Sequence, residues 1–303
     1  MKKGYFLVFL TAIISGFSIF INKFGVSVIN SNIFTFLKNL VVAVLLSGLL
    51  ILFKDWQKFK KLTNKDWFLL ISIGLVGGSI PFLLFFKGLS LINAVQGSFW
   101  HKTMFIYVAI LAGIFLKERI DKKFLLGGLL LILGNLVILR KLPIVINTGD
   151  ALVILATIFW AIENIISKYA LRETESRIVA WARMFFGCLF IFLFLLTTNQ
   201  LGLIGGLSFK QISWVLVSGI LLLGYVITWY EGLKFVPVSQ ATAILILGLP
   251  ITTFLSLVTG GKADLQEILS GILIILGVVI VLGLKEVWQL IKQTKKLFYA
   301  FRT

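Results

Sequence analysis

The sequence predicts an all-α polytopic membrane protein of ten transmembrane helices, built as two inverted five-helix repeats. Three observations predict it. First, 59% of the 303 residues are hydrophobic and 14% are charged, where soluble domains carry about 25% charged residues; mean hydropathy is +1.04. Second, apolar runs of roughly 20 residues, the length that crosses a bilayer, recur along the whole chain. Third, the two halves echo each other at an offset of about 145 residues. Lys23 and Lys38 lie fifteen residues apart, as do Lys168 and Arg183. Gly88-Leu89 precedes Gln96 at the spacing at which Gly232-Leu233 precedes Gln240, and the stretch Gly128 to Gly134 recurs as Gly271 to Gly277. Internal repeats of apolar helices are how many secondary transporters build a central site.

The ten runs cover about 4–22, 33–53, 67–86, 95–116, 124–140, 149–170, 178–198, 211–230, 240–259 and 267–284. The first follows Lys2 and Lys3 and is too long for a cleavable signal segment. The third and eighth are expected to extend a turn or two further. The third holds Pro81 behind Gly74, Gly77 and Gly78, and the ninth holds Pro250; proline frees a backbone carbonyl and permits bending, so both are hinge candidates, with close small-residue packing as the alternative. Continuous runs, not short alternating ones, exclude a barrel. The repeats are expected to occupy 1–141 and 149–284. Five spans per half is an odd number, so the second half enters the membrane the other way up. The tail, 285–303, carries Val287, Leu290, Ile291, Leu297, Phe298 and Phe301 on one helical face and Lys285, Lys292 and Lys296 on the other. It is expected to lie on anionic lipid; a solvated tail is the alternative.

The net charge of +17 does not point to nucleic acid, because no basic-aromatic module is present. It reflects loops rich in Lys and Arg. Placing both termini in the cytoplasm puts Lys54 to Lys65, Lys117 to Lys123, Lys168 to Arg177, Lys234 and the tail inside, leaving Lys23, Lys87, Arg140, Lys141, Lys210 and Lys262 outside. A multi-pass protein of the cell membrane follows. Cys188 sits in an apolar run and His101 is the single histidine, so neither a thiolate nor a histidine metal site is expected. No nucleophile–base set or phosphate loop is visible. The chain is therefore read as no enzyme, with no metal and no cofactor.

Ten helices, inverted halves and a short basic N-terminus resemble the EamA-like branch of the drug/metabolite transporter superfamily. The resemblance is carried by Gly16 to Lys38 and its echo Phe159-Trp160-Ala161 to Arg183, then by Ala112 to Ile120 with Glu118, Gly127-Gly128 and Gly134. In that family a glutamate closes the fourth helix before a glycine-containing fifth. The chain departs from it where Phe105-Ile106 replaces a frequent proline, and where Gly260-Gly261-Lys262-Ala263-Asp264 stands in place of the glutamate after the ninth helix. The resemblance implies transport and leaves the cargo open among amino acids, other organic metabolites, nucleotide-sugars and sugar phosphates.

A charge near the bilayer centre costs on the order of 2.5–3.5 kcal/mol by insertion scales, so each ionisable group there needs a reason. At ~1.5 Å per residue, Glu163 and Arg183 lie about 12 Å and 9 Å from the inner ends of consecutive helices. That predicts a salt bridge, either a structural lock or a gate or proton-linked pair. Lys38, the symmetry mate of Arg183, has Ser18 rather than an acid at the position matching Glu163. It either snorkels outward or faces a cavity and an anionic group of the cargo. Lys102 lies about 12 Å into the fourth run, and its symmetry position holds Ile246. It is expected to line the cavity and contact cargo, a buried structural pair being the alternative. His101 points about 100° away from it and reads as a packed histidine before a proton carrier. Glu231, the counterpart of Lys87, either pairs with a lysine or titrates during transport. Trp100, Trp160, Trp229 and Tyr230 suggest an aromatic wall, with lipid-interface placement as the alternative.

The expected activity is secondary transport by alternating access of a small organic metabolite. Excess buried base over acid favours a carboxylate or phosphate on that cargo. Two alternatives stand beside it: an exporter of amphipathic aromatic or drug-like compounds, and a non-transporting membrane scaffold or sensor. The expected partners are the small molecule and membrane lipid, with proton coupling left open.

Overall fold

The computed structural model describes residues 2–139, 146–260, 265–289 and 292. Among them run ten long helical segments: α1 (Lys2–Val28), α2 (Ser31–Leu52), α3 (Asn64–Leu91), α4 (Ala94–Leu116), α5 (Lys122–Leu139), α6 (Thr148–Ala170), α7 (Ser176–Thr197), α8 (Phe209–Phe235), α9 (Val238–Val258) and α10 (Leu265–Leu282). All but α5, which opens on Lys122-Lys123, are long and apolar enough to cross a membrane. Starts are set by local polar chemistry that satisfies the orphan amides of a first turn. Asn30 accepts from the amides of Asn32 and Ile33. Thr63 with Asp66, Asn147 with Asp150, and Ser208 with Gln211 form capping boxes.

α1 runs six residues past its expected end at 22, so Lys23 is helical and not in a loop. Its ammonium donates to the carbonyls of Leu89 (2.9 Å) and Ser90 (3.3 Å) at the end of α3, which lets the helix continue through a polar pair. α3 contains a π-helical segment, Gly74–Ser79, directly ahead of Pro81, and proline then sits in the first turn of the next α-helical stretch. α4 breaks at Thr103, between Ala94–Lys102 and Met104–Leu111. α9 breaks at Ile246-Leu247, with Pro250 in the first turn of Gly248–Val258. These two breaks fall at repeat-equivalent positions.

Packing crosses the halves. α1 packs on α8, α3 on α6, α2 on α7, α4 on α9 and α5 on α10. The first helix of each half therefore meets the third of the other, and the remaining helices meet their counterparts. Glycines allow the closest approaches. A Cβ at Gly78 would lie 1.9 Å from the Arg183 carbonyl oxygen, and one at Gly127 or Gly277 would press on the opposite backbone at 2.7 and 2.9 Å.

One end of the bundle is rich in charge. There Arg177 and Lys58 hold buried Asp55 at 2.5 and 2.8 Å, and Lys234 and Lys58 hold Glu175 at 3.2 and 3.4 Å. Burial pushes the Asp55 carboxyl up, but hydrogen bonds from Arg177 and Lys58 outweigh it and hold the group below its ordinary range. The hydrogen bond from Lys234 holds the Glu175 carboxyl below its ordinary range. At this end, Glu118 accepts from the amides of Val238 (2.8 Å) and Ser239 (3.1 Å) and from the Ser239 hydroxyl. The glutamate that closes α4 thus caps α9. The segment 261–264, Arg140, Lys141 and most of the basic tail lie outside the described residues. Gly283, at φ +89°, ends α10, and a short helix follows with Trp288 exposed.

Candidate functional site

Seven helices line a cavity between the halves, with ≈ 570 Å³ of empty space, open solvent included. α1 contributes Ser15, Ser18, Ile19 and Asn22; α2 gives Lys38; α3 gives Phe82, Phe85 and Phe86; α4 gives His101 and Met104. The second half contributes Trp160, Glu163 and Asn164 from α6, Arg183 from α7, and Leu222, Tyr225 and Trp229 from α8. Lys38 and Arg183 each stand seven residues inside their helices, about 10 Å from opposite ends of the bundle. The repeat thus places one cation toward each face.

The two cations differ in their surroundings. Arg183 is engaged through Nε and Nη1: Nε donates to the Gly77 carbonyl (3.2 Å), Nη1 donates to the Tyr230 hydroxyl (3.2 Å), and Nη1 lies 3.7 Å from Glu163 Oε2. Tyr230 donates in turn to Glu163 Oε1 (2.6 Å), and Ser167 donates to the same oxygen. The expected Glu163–Arg183 pair therefore stands, with Tyr230 as its third member. Lys38 is 1% exposed. Its ammonium lies 3.4 Å from the centre of the Phe86 ring, 5.0 Å from Phe82 and 5.6 Å from Phe34. Among the described residues it has no hydrogen bond or ion pair. It does not snorkel.

Aromatic rings form the walls. Phe85, His101 and Trp160 meet edge to face or tilted at 5.2–5.6 Å, and Trp160 Nε1 donates to the Gly77 carbonyl at 3.0 Å. Trp229 Nε1 donates to Asn164 Oδ1 at 3.0 Å. Three buried lining atoms, Asn22 Oδ1, His101 Nδ1 and Glu163 Oε2, have no hydrogen-bond partner. Buried polar atoms are rarely left so.

The other expected site residues lie elsewhere. Lys102 is 2% exposed and is not itself among the lining residues, but its ammonium donates at 2.7 Å to the hydroxyl of Ser15, which is, and abuts Gly248. The break at Thr103 places it at the C-terminus of a half-helix, where the dipole favours a cation. Trp100 leaves the wall because its Nε1 donates to Asp150 Oδ1 at 2.6 Å, beside Gln96. Tyr230 stands behind the lining, on Glu163. Glu231 lies at the charged end, bound by Lys3 (2.8 Å) and the Ser176 hydroxyl. Pro81 follows the π-helical segment, whose Gly77 and Gly78 pack on Glu163 and Arg183. Pro250 follows the break in α9.

Sequence reasoning did not single out Asn22, Phe82, Phe85, Phe86, Asn164, Tyr225 or Asp150. The spacing of the three phenylalanines, on one face at i, i+3 and i+4, was the available signal. Among the described residues no group of three His, Cys, Asp or Glu could hold a metal.

Comparisons with known proteins bear on the family of the chain. The family described as "EamA-like transporter family" matches residues 2–140 and again 147–283. The protein named "Riboflavin transporter ImpX" of Fusobacterium nucleatum is 26% identical over 297 residues, covering 91% of this chain and 96% of that one. The protein named "Uncharacterized transporter YyaM" of Bacillus subtilis is 24% identical over 260 residues, covering 80% and 81%. A solved crystal structure superposes with a TM-score of 0.73 at 15% identity, covering 91% of this chain and 95% of that one. With both halves matched, the chain belongs to the EamA-like transporter family.

Proposed function

We propose that this transporter moves a small organic metabolite bearing an aromatic portion and an anionic group, by alternating access of the cavity between two inverted five-helix halves. One observation carries the proposal. The Lys38 ammonium is buried among phenylalanine rings in the cavity wall, without an acidic partner among the described residues. A carboxylate or phosphate would complete its ion pair, and the flanking rings would hold a planar group. Arg183 is already neutralised by Glu163 and leaves Lys38 as the anion receptor. The charged end, with its clustered Lys and Arg residues, is the cytoplasmic one in this reading, which puts the N-terminus inside the cell membrane.

The test is a thermal-shift panel on purified protein covering aromatic carboxylates, aliphatic organic acids, sugar phosphates and nucleotides. Riboflavin and riboflavin 5′-phosphate form a matched neutral and anionic pair, chosen because one relative is named a riboflavin transporter. Aromatic anions should give the largest shifts and should be taken up by vesicles containing the protein. A panel in which only neutral or cationic compounds bind would overturn the anionic reading and favour transport of neutral amphipathic aromatics.

A further inference from the structure

Two lysines at equivalent places in the halves do the same thing at opposite ends of the molecule. Lys23 of α1 donates to the carbonyls of Leu89 and Ser90, the last turn of α3. Lys168 of α6 donates to the carbonyls of Leu233 (2.6 Å) and Val236 (2.7 Å), the end of α8. The last carbonyls of a helix lack intrahelical donors and carry the negative end of its dipole, so an ammonium there is a strong fastening.

These bonds matter because of where they cross. α1 packs mainly on α8 and α9, while α3 and α4 pack mainly on α6. Two packed groups result, joined where α4 meets α9, with the cavity between them. Contact between α1 and α3, and between α6 and α8, is sparse. Lys23 and Lys168 bridge these two sparse seams. Lys3 pairs with Glu231 at the end of α8, which Lys168 also caps, so Lys168 lies at the charged end; Lys23 lies 20 residues further along α1, about 30 Å away. The charged end has a second fastening across the groups, Glu118 on the amides of Val238 and Ser239. At the other end the segment matching Glu118 holds no glutamate.

We propose that Lys23 and Lys168 are paired latches, one for each mouth of the cavity, and that each mouth opens only when its lysine releases the helix end it caps. This rests on the alternating-access reading above.

The test uses the full-length protein with Cys188→Ser and a single reporter, Leu222→Cys, in the cavity wall. It is reconstituted in vesicles of defined orientation and labelled with a membrane-impermeant maleimide from each side. Lys23→Met should raise the ratio of labelling through the Lys23 mouth to labelling through the other by about tenfold, the scale of losing a hydrogen bond to a charged group. Lys168→Met should lower that ratio. Lys23→Arg and Lys168→Arg, which keep a donor, should return it toward the parent value and separate latch loss from misfolding. Parent protein labelled from both sides, with the ratio unmoved or moved in the same direction by both Met variants, would overturn the latches and leave alternating access standing. Labelling from one side only in the parent and every variant would overturn alternating access, and the latches with it.

Discussion

The Lys38 ammonium rests against Phe86, with Phe82 and Phe34 nearby and no hydrogen bond or ion pair among the described residues. A desolvated cation–π contact contributes about 2 kcal/mol or more, whereas burying an ion costs several. The rings offset only part of the cost. Lys38→Met should therefore leave the fold intact and raise its stability by about 1–3 kcal/mol, read as a higher melting temperature. Unchanged or lower stability would show a partner that the geometry does not contain. Glu163 and Arg183 behave oppositely, because each is the other's counter-charge and Tyr230 joins them. Glu163→Gln and Arg183→Gln should each cost on the order of 3–5 kcal/mol, and the double variant should cost less than their sum. Strict additivity in denaturation measurements would mean the pair does not interact. These polar residues were legible in the sequence because charge inside an apolar run is conspicuous. Phe82, Phe85 and Phe86 were not, since one apolar residue looks like another in a chain that is apolar throughout. The inward turn of Asn22 needed the late end of α1.

Element geometry bears on where Lys102 stands. Its depth in α4 was read as if the helix were continuous. The helix breaks directly after it at Thr103, and its ammonium donates to Ser15, a residue of the cavity lining, and abuts Gly248. Nothing in the sequence marked that break, since the proline that would announce it is present in α9 and absent in α4. The packing of α3 against α7 was half visible, as a run of glycines. Gly78→Ala places a Cβ 1.9 Å from the Arg183 carbonyl oxygen, and backbone cannot yield as a side chain can. It should destabilise the protein by about 3 kcal/mol or more, whereas Gly48→Ala, with nothing within 4 Å, should be nearly silent in the same melting assay. The loop after α2 gives a pH dependence. Asp55 is held below its ordinary 3.8, so its contribution is present above that value and is lost as pH falls through the lower folded value. Wild-type melting temperature should drop on acidification below about pH 4. Asp55→Asn should lose on the order of 1–2 kcal/mol at pH 7 and show a smaller acid decline. Equal declines in the two proteins would assign the acid sensitivity to other groups.

At the scale of the whole molecule, the repeat is the organising fact. It was legible as paired spacings of charge and glycine, and it reappears in the pairing of helices across the halves, in equivalent breaks in α4 and α9, and in two lysines capping equivalent helix ends. The repeat also marks, already in the sequence, one place where its symmetry fails. Lys38 and Arg183 are mates, yet one is neutralised and the other is not, because Glu163 has only Ser18 as its counterpart. That single asymmetry sets the proposed preference for an anion. The most direct test is transport by Lys38→Met in vesicles, using the anionic compound that most stabilises the wild type. Uptake should fall to background in Lys38→Met while melting shows an intact fold, and Lys38→Arg should retain part of it. Unchanged uptake of that anion by Lys38→Met would contradict the account.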